Sequence, residues 1–177
     1  AVGALGYVRM IQEISDTELQ FDHIYCAMGS GGTYAGIWIG ARNFRRPERL
    51  HAIAVCDDTA YFAREVARIR REFRSRYGWN VDTDGAEAGV DDGYVGRGYA
   101  LNTGEELQQM IRFAGIEGLL LDPVYTLKAF LGMVDHIRRG LIQPGDKVLF
   151  VHTGGHYGIF SSHAALGRAL DAPSPPG

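Results

Sequence analysis

Apolar residues recur along this chain first at helical and then at strand spacing, and the two patterns alternate. Leu5, Val8, Ile11 and Ile14 fall on one face of a helix, with polar residues between them. Ile24 to Met28 is a short apolar run entered from Phe21-Asp22-His23, which predicts a buried strand. A helical pattern follows over 34–44 and stops before Pro47. Leu50 to Val55 predicts the next strand. Asp57 or Asp58 is placed to cap a long helix that runs to about Tyr77.

The stretch 78–98 is rich in Gly and Asp and lacks periodicity, so it predicts an irregular connection that reaches a site. Thr103 with Glu106 three residues on is the pattern of a capping box, opening a helix expected to end near Gly115. Leu119 to Leu121 predicts a short strand before Asp122-Pro123, followed by a helix from about Thr126 to Arg139 closed by Gly140. Val148 to His152 predicts the last strand, broken by Thr153-Gly154-Gly155, with a final helix starting near Ile159. Strands alternating with helices predict an α/β fold: an open, mostly parallel sheet with helices on both faces.

The 177 residues suffice for one domain with a sizeable core, expected over 1–171, with a disordered proline-bearing tail over 172–177. A net charge of −3 and a pI near 6.1 give no electrostatic reason to expect nucleic acid or an anionic membrane as partner. The dense arginines Arg64, Arg68, Arg70, Arg71, Arg74 and Arg76 read as the solvated face of a long helix. Cys26 and Cys56 each end an apolar run, without motif spacing. They read as free, buried thiols in a reducing, cytoplasmic compartment. No apolar stretch reaches the roughly 18 residues of a membrane helix. The chain opens without an initiator Met and runs straight into a helical pattern, as the interior of a longer polypeptide would.

Gly29-Ser30-Gly31-Gly32-Thr33 lies between a predicted buried strand and a helix. Glycines let backbone N–H groups approach an anion, the helix N-terminus adds roughly half a positive charge, and Ser30 and Thr33 add hydroxyls. A phosphate is the natural ligand, although a Gly-rich turn with no ligand also accounts for the pattern. A dinucleotide fingerprint would need glycine where Tyr34 stands, and the Lys-Ser/Thr of a P-loop is absent. Thr153 and Gly154 end the last predicted strand, where ligands of parallel sheets bind. His152 and His156 are four apart, but two glycines lie between them, so no metal site is expected. Asp122-Pro123-Val124-Tyr125-Thr126 reads as a proline turn with a helix cap at the site edge, and Tyr99 sits in a glycine-rich loop.

In this order, GALGYV, GSGGTYAG, GRGYAL, EGLLLDPVYTLKAF and VLFVHTGGHYGIF resemble the family of 1-aminocyclopropane-1-carboxylate deaminase and D-cysteine desulfhydrase. The resemblance covers the chain up to its tail. It implies pyridoxal 5′-phosphate (PLP) as cofactor, on an incomplete large domain of fold type II, in a commonly dimeric enzyme. It also implies that Gly29, Ser30, Gly31, Gly32 and Thr33 cradle the phosphate and that Tyr125 lies near the pyridine ring. Tyr99 would stand on the substrate side, and Thr153 would face the ring nitrogen with Thr126 beside it. The deaminases resemble Asp-Pro-Val-Tyr-Glu and His-Leu-Gly-Gly at the last two sites. Thr126 and Thr153 therefore look more like the D-cysteine desulfhydrase and L-cysteate sulfo-lyase branch, where a hydroxyl holds a neutral pyridine. Leu127 departs from that branch, which usually has glycine there.

The family's Schiff-base lysine belongs to an N-terminal segment that has no counterpart here. The only lysines are Lys128 and Lys147. Lys128 matches a family lysine with another place, and Lys147 is expected in solvent. The chain thus reads as the C-terminal portion of a lyase that performs α,β-elimination on a small sulfur-containing amino acid, and as inactive alone. The competing readings are a non-catalytic PLP- or phosphate-binding module and a 1-aminocyclopropane-1-carboxylate deaminase. A nucleotide-dependent enzyme is weakened by Tyr34.

Overall fold

The computed structural model describes residues 2–79 and 89–172. The tail expected over 172–177 falls outside it except for Ala172, and the connection expected over 78–98 is described only at its two ends. In chain order the elements are α1 (Val2–Ser15), β1 (His23–Met28), α2 (Gly32–Asn43), β2 (Arg49–Ala54), α3 (Thr59–Tyr77), β3 (Val90–Asp91), α4 (Gly104–Glu117), α5 (Thr126–Arg138), β4 (Val148–Val151), α6 (Gly158–Ser161) and α7 (His163–Asp171). The strands form one sheet in the order β3-β2-β1-β4, and every pairing is parallel.

Parallel strands buried on both faces need no polar alternation, and β1 is buried at all six positions. Its alternate side chains serve two different cores. Ile24, Cys26 and Met28 pack with Ala52 and Ala54 against α1, α2 and α3. Tyr25 and Ala27 pack with Ile53 and Val55 against Ala129 of α5. Helices therefore cover both faces, as the sequence pattern predicts. A third cluster, with Leu107, Met110, Leu121, Leu127 and Ala169, joins α4, α5 and α7. On α2, a Cβ at Gly36 would stand 2.3 Å from the Ala4 carbonyl oxygen, so only glycine lets α1 close onto α2.

Several boundaries differ from expectation for physical reasons. In α1 it is Ala4 that is buried, while Leu5 is 39% exposed. Asp58, not Asp57, caps α3 by accepting from the Tyr61 N–H; Asp57 has a left-handed backbone instead. The capping box of Thr103 and Glu106 is present, but α4 continues past Gly115 to Glu117, because the left-handed C-cap is Gly118. Leu119 to Leu121 is not a strand. The Leu120 carbonyl accepts from the rings of His152 and His156 instead of from a neighbouring strand. The two-residue edge strand β3 was not expected, and the final helix is two, α6 and α7.

The arginine face of α3 is largely solvated: Arg68 pairs with Glu65 and Glu72 on its own helix. Arg70 departs from this, with its guanidinium 3.8 Å above the Trp38 ring centre. Both cysteines are free, Cys26 buried and Cys56 half-buried. Burial alone pushes the Cys26 thiol up to about 12. No described helix is long and apolar enough to cross a membrane.

The α5 side of the sheet carries a polar network. His23 bonds the His51 ring at 3.0 Å and the Asp146 carboxylate at 3.1 Å. Tyr25 stacks on His51 and bonds His136, whose other nitrogen meets Asp91 at 3.1 Å. Burial, followed by the neighbouring His23, His136 and Arg49, holds His51 down to about 4, against the opposing pull of Asp91. The folded value lies below the unfolded one, so the unfolded chain takes up this proton first. The contribution is complete above about pH 6.5 and fades as pH falls toward 4. Urea unfolding of H51Q across that window is expected to show a pH slope shallower by about one proton than the unsubstituted chain. An unchanged slope would mean that His51 does not stay neutral in the fold.

Candidate active site at the sheet switch point

The chain adds β2 and β3 on one side of β1 and later places β4 on the other. Strand order reverses between β1 and β4, and in open parallel sheets the crevice outside the carboxyl ends of strands at such a reversal is where ligands bind. A cavity of about 460 Å³ opens there. Its lining combines Ala27, Gly29, Ser30, Gly31 and Thr33 from the β1–α2 junction with Tyr99, Tyr125, Thr153 and Gly155.

At the junction, β1 ends and Gly31 turns the chain with φ 78°, in the left-handed region that glycine enters freely. Gly31 is the N-cap of the 12-residue helix α2 and makes no side-chain cap bond. The first N–H groups of a helix lack intrahelical partners, so this end presents donors and a partial positive charge toward the cavity. Gly29 permits a close contact: a Cβ there would lie 2.8 Å from Cε1 of Tyr125.

Tyr125 is set by the start of α5. Asp122 is fully buried, and one of its oxygens accepts from the Val124 and Tyr125 N–H groups at 2.8 Å each. The other oxygen accepts from the Thr126 N–H at 2.8 Å and from the Thr126 hydroxyl at 2.6 Å. The proline turn with a helix cap is therefore present, and Asp122 is its centre. Tyr125 and Tyr99 meet hydroxyl to hydroxyl with their rings edge to face. That bond, with burial second, pushes the Tyr125 phenol up to about 12.

The structure brings Gly29, Ser30, Gly31, Thr33, Tyr99, Tyr125 and Thr153 to one cavity. Three expected residues stand elsewhere. Thr126 is fully buried and turned to Asp122, donating to its carboxylate and accepting from its N–H at 2.7 Å, so its hydroxyl is committed away from the cavity. Gly154 directs its N–H to Nδ1 of His152 at 3.2 Å, and Gly155 takes the place at the lining. Gly32 begins α2 behind the lining. Gly155 was missed in the sequence: a Cβ there would lie 2.8 Å from the Asp122 carboxyl, so it seats the β4 turn on the same carboxylate. The repeated glycine at 154 and 155 was the available signal.

This geometry is that of an α/β protein with a glycine-edged, tyrosine-walled cavity at a topological switch point. Comparison with known proteins identifies the group: residues 1–154 match the family model "Pyridoxal-phosphate dependent enzyme", and the chain belongs to that family. Its relatives include a bifunctional D-cysteine desulfhydrase/1-aminocyclopropane-1-carboxylate deaminase of Arabidopsis thaliana, mitochondrial by name, 36% identical over 90% of this chain and 40% of the relative. A putative 1-aminocyclopropane-1-carboxylate deaminase of Thermotoga maritima is 38% identical over 94% of this chain and 52% of its own length. A D-cysteine desulfhydrase of Yersinia enterocolitica is 32% identical over 92% and 50%. A crystal structure of an ACC deaminase homologue superposes with a TM-score of 0.83 at 37% identity, over 94% of this chain and 50% of that one. The chain thus spans about half the length of the relatives it matches. The cofactor of the family is PLP.

An asparagine at 122 would keep one acceptor oxygen and turn an NH2 toward backbone donors. D122N is expected to cost on the order of 3 kcal/mol in urea unfolding. A loss below about 0.5 kcal/mol would show that the clasp does not hold the turn.

Proposed function

We propose that this chain is the phosphate-and-ring cradle of a PLP-dependent lyase whose Schiff-base lysine comes from sequence outside these 177 residues. The observation that carries the reading is where its two lysines stand. Lys128 is buried, with its ammonium on the Val95 and Gly98 carbonyls at 2.6 Å each. Lys147 is exposed before the first residue of β4, at the opposite end of the strand from Thr153. Neither amine is free in the cavity.

The residues present fit the cofactor. The Gly31 N-cap with the Ser30 and Thr33 hydroxyls offers donors to a phosphate, and Tyr125 against Gly29 offers a wall for a ring. A volume of about 460 Å³ is ample for both. When bound, PLP supplies an electron sink for the bond electrons of the substrate's α-carbon. Gly29, Ser30, Gly31, Gly32 and Thr33 would hold the phosphate, Gly32 through its backbone at the start of α2. Thr153 would meet the ring nitrogen with an uncharged hydroxyl, and such a contact leaves the pyridine neutral. Thr126 supports that arrangement through Asp122, and Gly154 by shaping the β4 turn. Tyr125 keeps its proton at neutral pH and can donate it, with Tyr99 alongside on the substrate side.

A weak sink suits α,β-elimination, so a small sulfur-containing amino acid such as D-cysteine is the favoured substrate class: the Cβ–S bond breaks, sulfur leaves as hydrogen sulfide, and water hydrolyses the remaining imine to pyruvate and ammonia. Deamination of 1-aminocyclopropane-1-carboxylate is the second reading, favoured by the relatives that carry that name. The free thiols Cys26 and Cys56 fit a reducing, cytoplasmic setting. The exposed apolar residues Tyr157 and Phe160 fit a homodimer or a missing half of the same enzyme.

Incubation with PLP and borohydride followed by peptide mass mapping is expected to leave Lys128 unmodified and to give no stoichiometric adduct. The longer polypeptide that supplies the lysine is expected to release pyruvate from D-cysteine. A one-to-one adduct on Lys128 or Lys147 would overturn the reading.

A further inference from the structure

We infer that Lys128 is a positioning residue that presents Tyr99 to Tyr125 by clamping the loop 94–101. Its place in catalysis rests on the function proposed above; the clamp itself rests only on geometry.

Lys128 lies in the first turn of α5 and is 1% exposed. A buried ammonium is costly unless it is bonded, and here it spends two of its three N–H groups on carbonyls of one loop. Those carbonyls are not arbitrary. Val95 oxygen already accepts from the Gly98 N–H at 3.2 Å, and Gly98 oxygen accepts from the Leu101 N–H at 3.2 Å. Each is the acceptor of one of two successive turns, so a single cation fastens both. Tyr99 sits inside the second turn.

Its start is held separately, by the Tyr94 hydroxyl donating to Asp135 and by Val95 packed on the core, whereas the stretch that carries Tyr99 is left-handed at three positions. Gly96, Gly98 and Ala100 all have positive φ, at 61°, 123° and 57°. A left-handed alanine is strained, and surroundings must hold it. Tyr99 is 51% exposed, and its hydroxyl meets that of Tyr125, three residues before Lys128. The first turn of α5 thus carries one tyrosine by its own backbone and the other through the Lys128 ammonium. Burial lowers the affinity of Lys128 for its proton, while Glu106 opposes that. Glu106 itself is engaged with the Thr103 N–H at 2.6 Å.

The test uses K128M, which keeps the length of the stem and removes the donors, and K128Q, which keeps two N–H groups without charge. Amide hydrogen exchange in both is expected to speed up by about 10- to 100-fold at 96–101, with the amides of β1 and α2 within about twofold. The Tyr125 phenol, followed by ultraviolet titration, is expected to fall from about 12 toward the ordinary tyrosine value of about 10 as Tyr99 departs. In the longer polypeptide the same substitution is expected to lower kcat by about 10-fold or more, with PLP affinity within about twofold. Unchanged exchange at 96–101 overturns the inference. So does uniform acceleration across the chain, or loss of the fold in both variants, since either would make Lys128 a general core requirement. If the loop loosens but no lyase activity exists in the longer polypeptide, the clamp stands and the proposed function fails.

Discussion

One buried carboxylate organises the site. Asp122 accepts four hydrogen bonds at the start of α5 and thereby fixes the direction in which Tyr125 leaves the backbone. Tyr125 in turn rests on Gly29 at the end of β1, and Gly155 after β4 rests on Asp122 itself. The β1–α2 turn, the α5 turn and the β4 turn are therefore registered against one another through contacts too close for any side chain larger than hydrogen. A fully hydrogen-bonded carboxylate tolerates such burial, whereas a half-satisfied one would be a liability.

The sheet makes that registration possible. All its pairings are parallel, so β1 and β4 deliver their carboxyl ends to the same edge, and the reversal of strand order leaves a gap between the segments that follow them. The α5 face combines apolar packing with a polar network, in which Tyr25 and His51 of the sheet meet His136 of the helix. The C-terminal end of α5 is thus tied to β1 and β3 while its N-terminal turn carries the site. Lys128 extends the same helix's reach to a loop of left-handed residues.

Much of this was legible in the residues. The apolar runs at Ile24 and Leu50 identify parallel strands because both faces of each are buried, and the Thr103 capping box is a local motif that needs no tertiary context. The family match bears out the resemblance carried by the loop and turn motifs. What escaped was whatever tertiary contacts decide. Leu119 to Leu121 has the composition of a strand, but its carbonyl partners are histidine rings from after β4. Thr126 has the residue type of a ring partner, but a carboxylate four residues earlier claims its hydroxyl. Of two adjacent glycines, only packing against Asp122 selects Gly155 for the lining. The edge strand β3 is two residues long and exists through its pairing with β2.

A chain that cradles the phosphate and ring of PLP, as proposed, needs no amine of its own to bind them. Pyridoxine 5′-phosphate carries both but has no aldehyde, so it reports the cradle alone. Titrated into the chain under amide NMR, it is expected to saturate, with shifts concentrated at Gly29 to Thr33, around Tyr125 and at Thr153 to Gly155. Absence of saturable shifts at the Gly29–Thr33 amides would contradict the account.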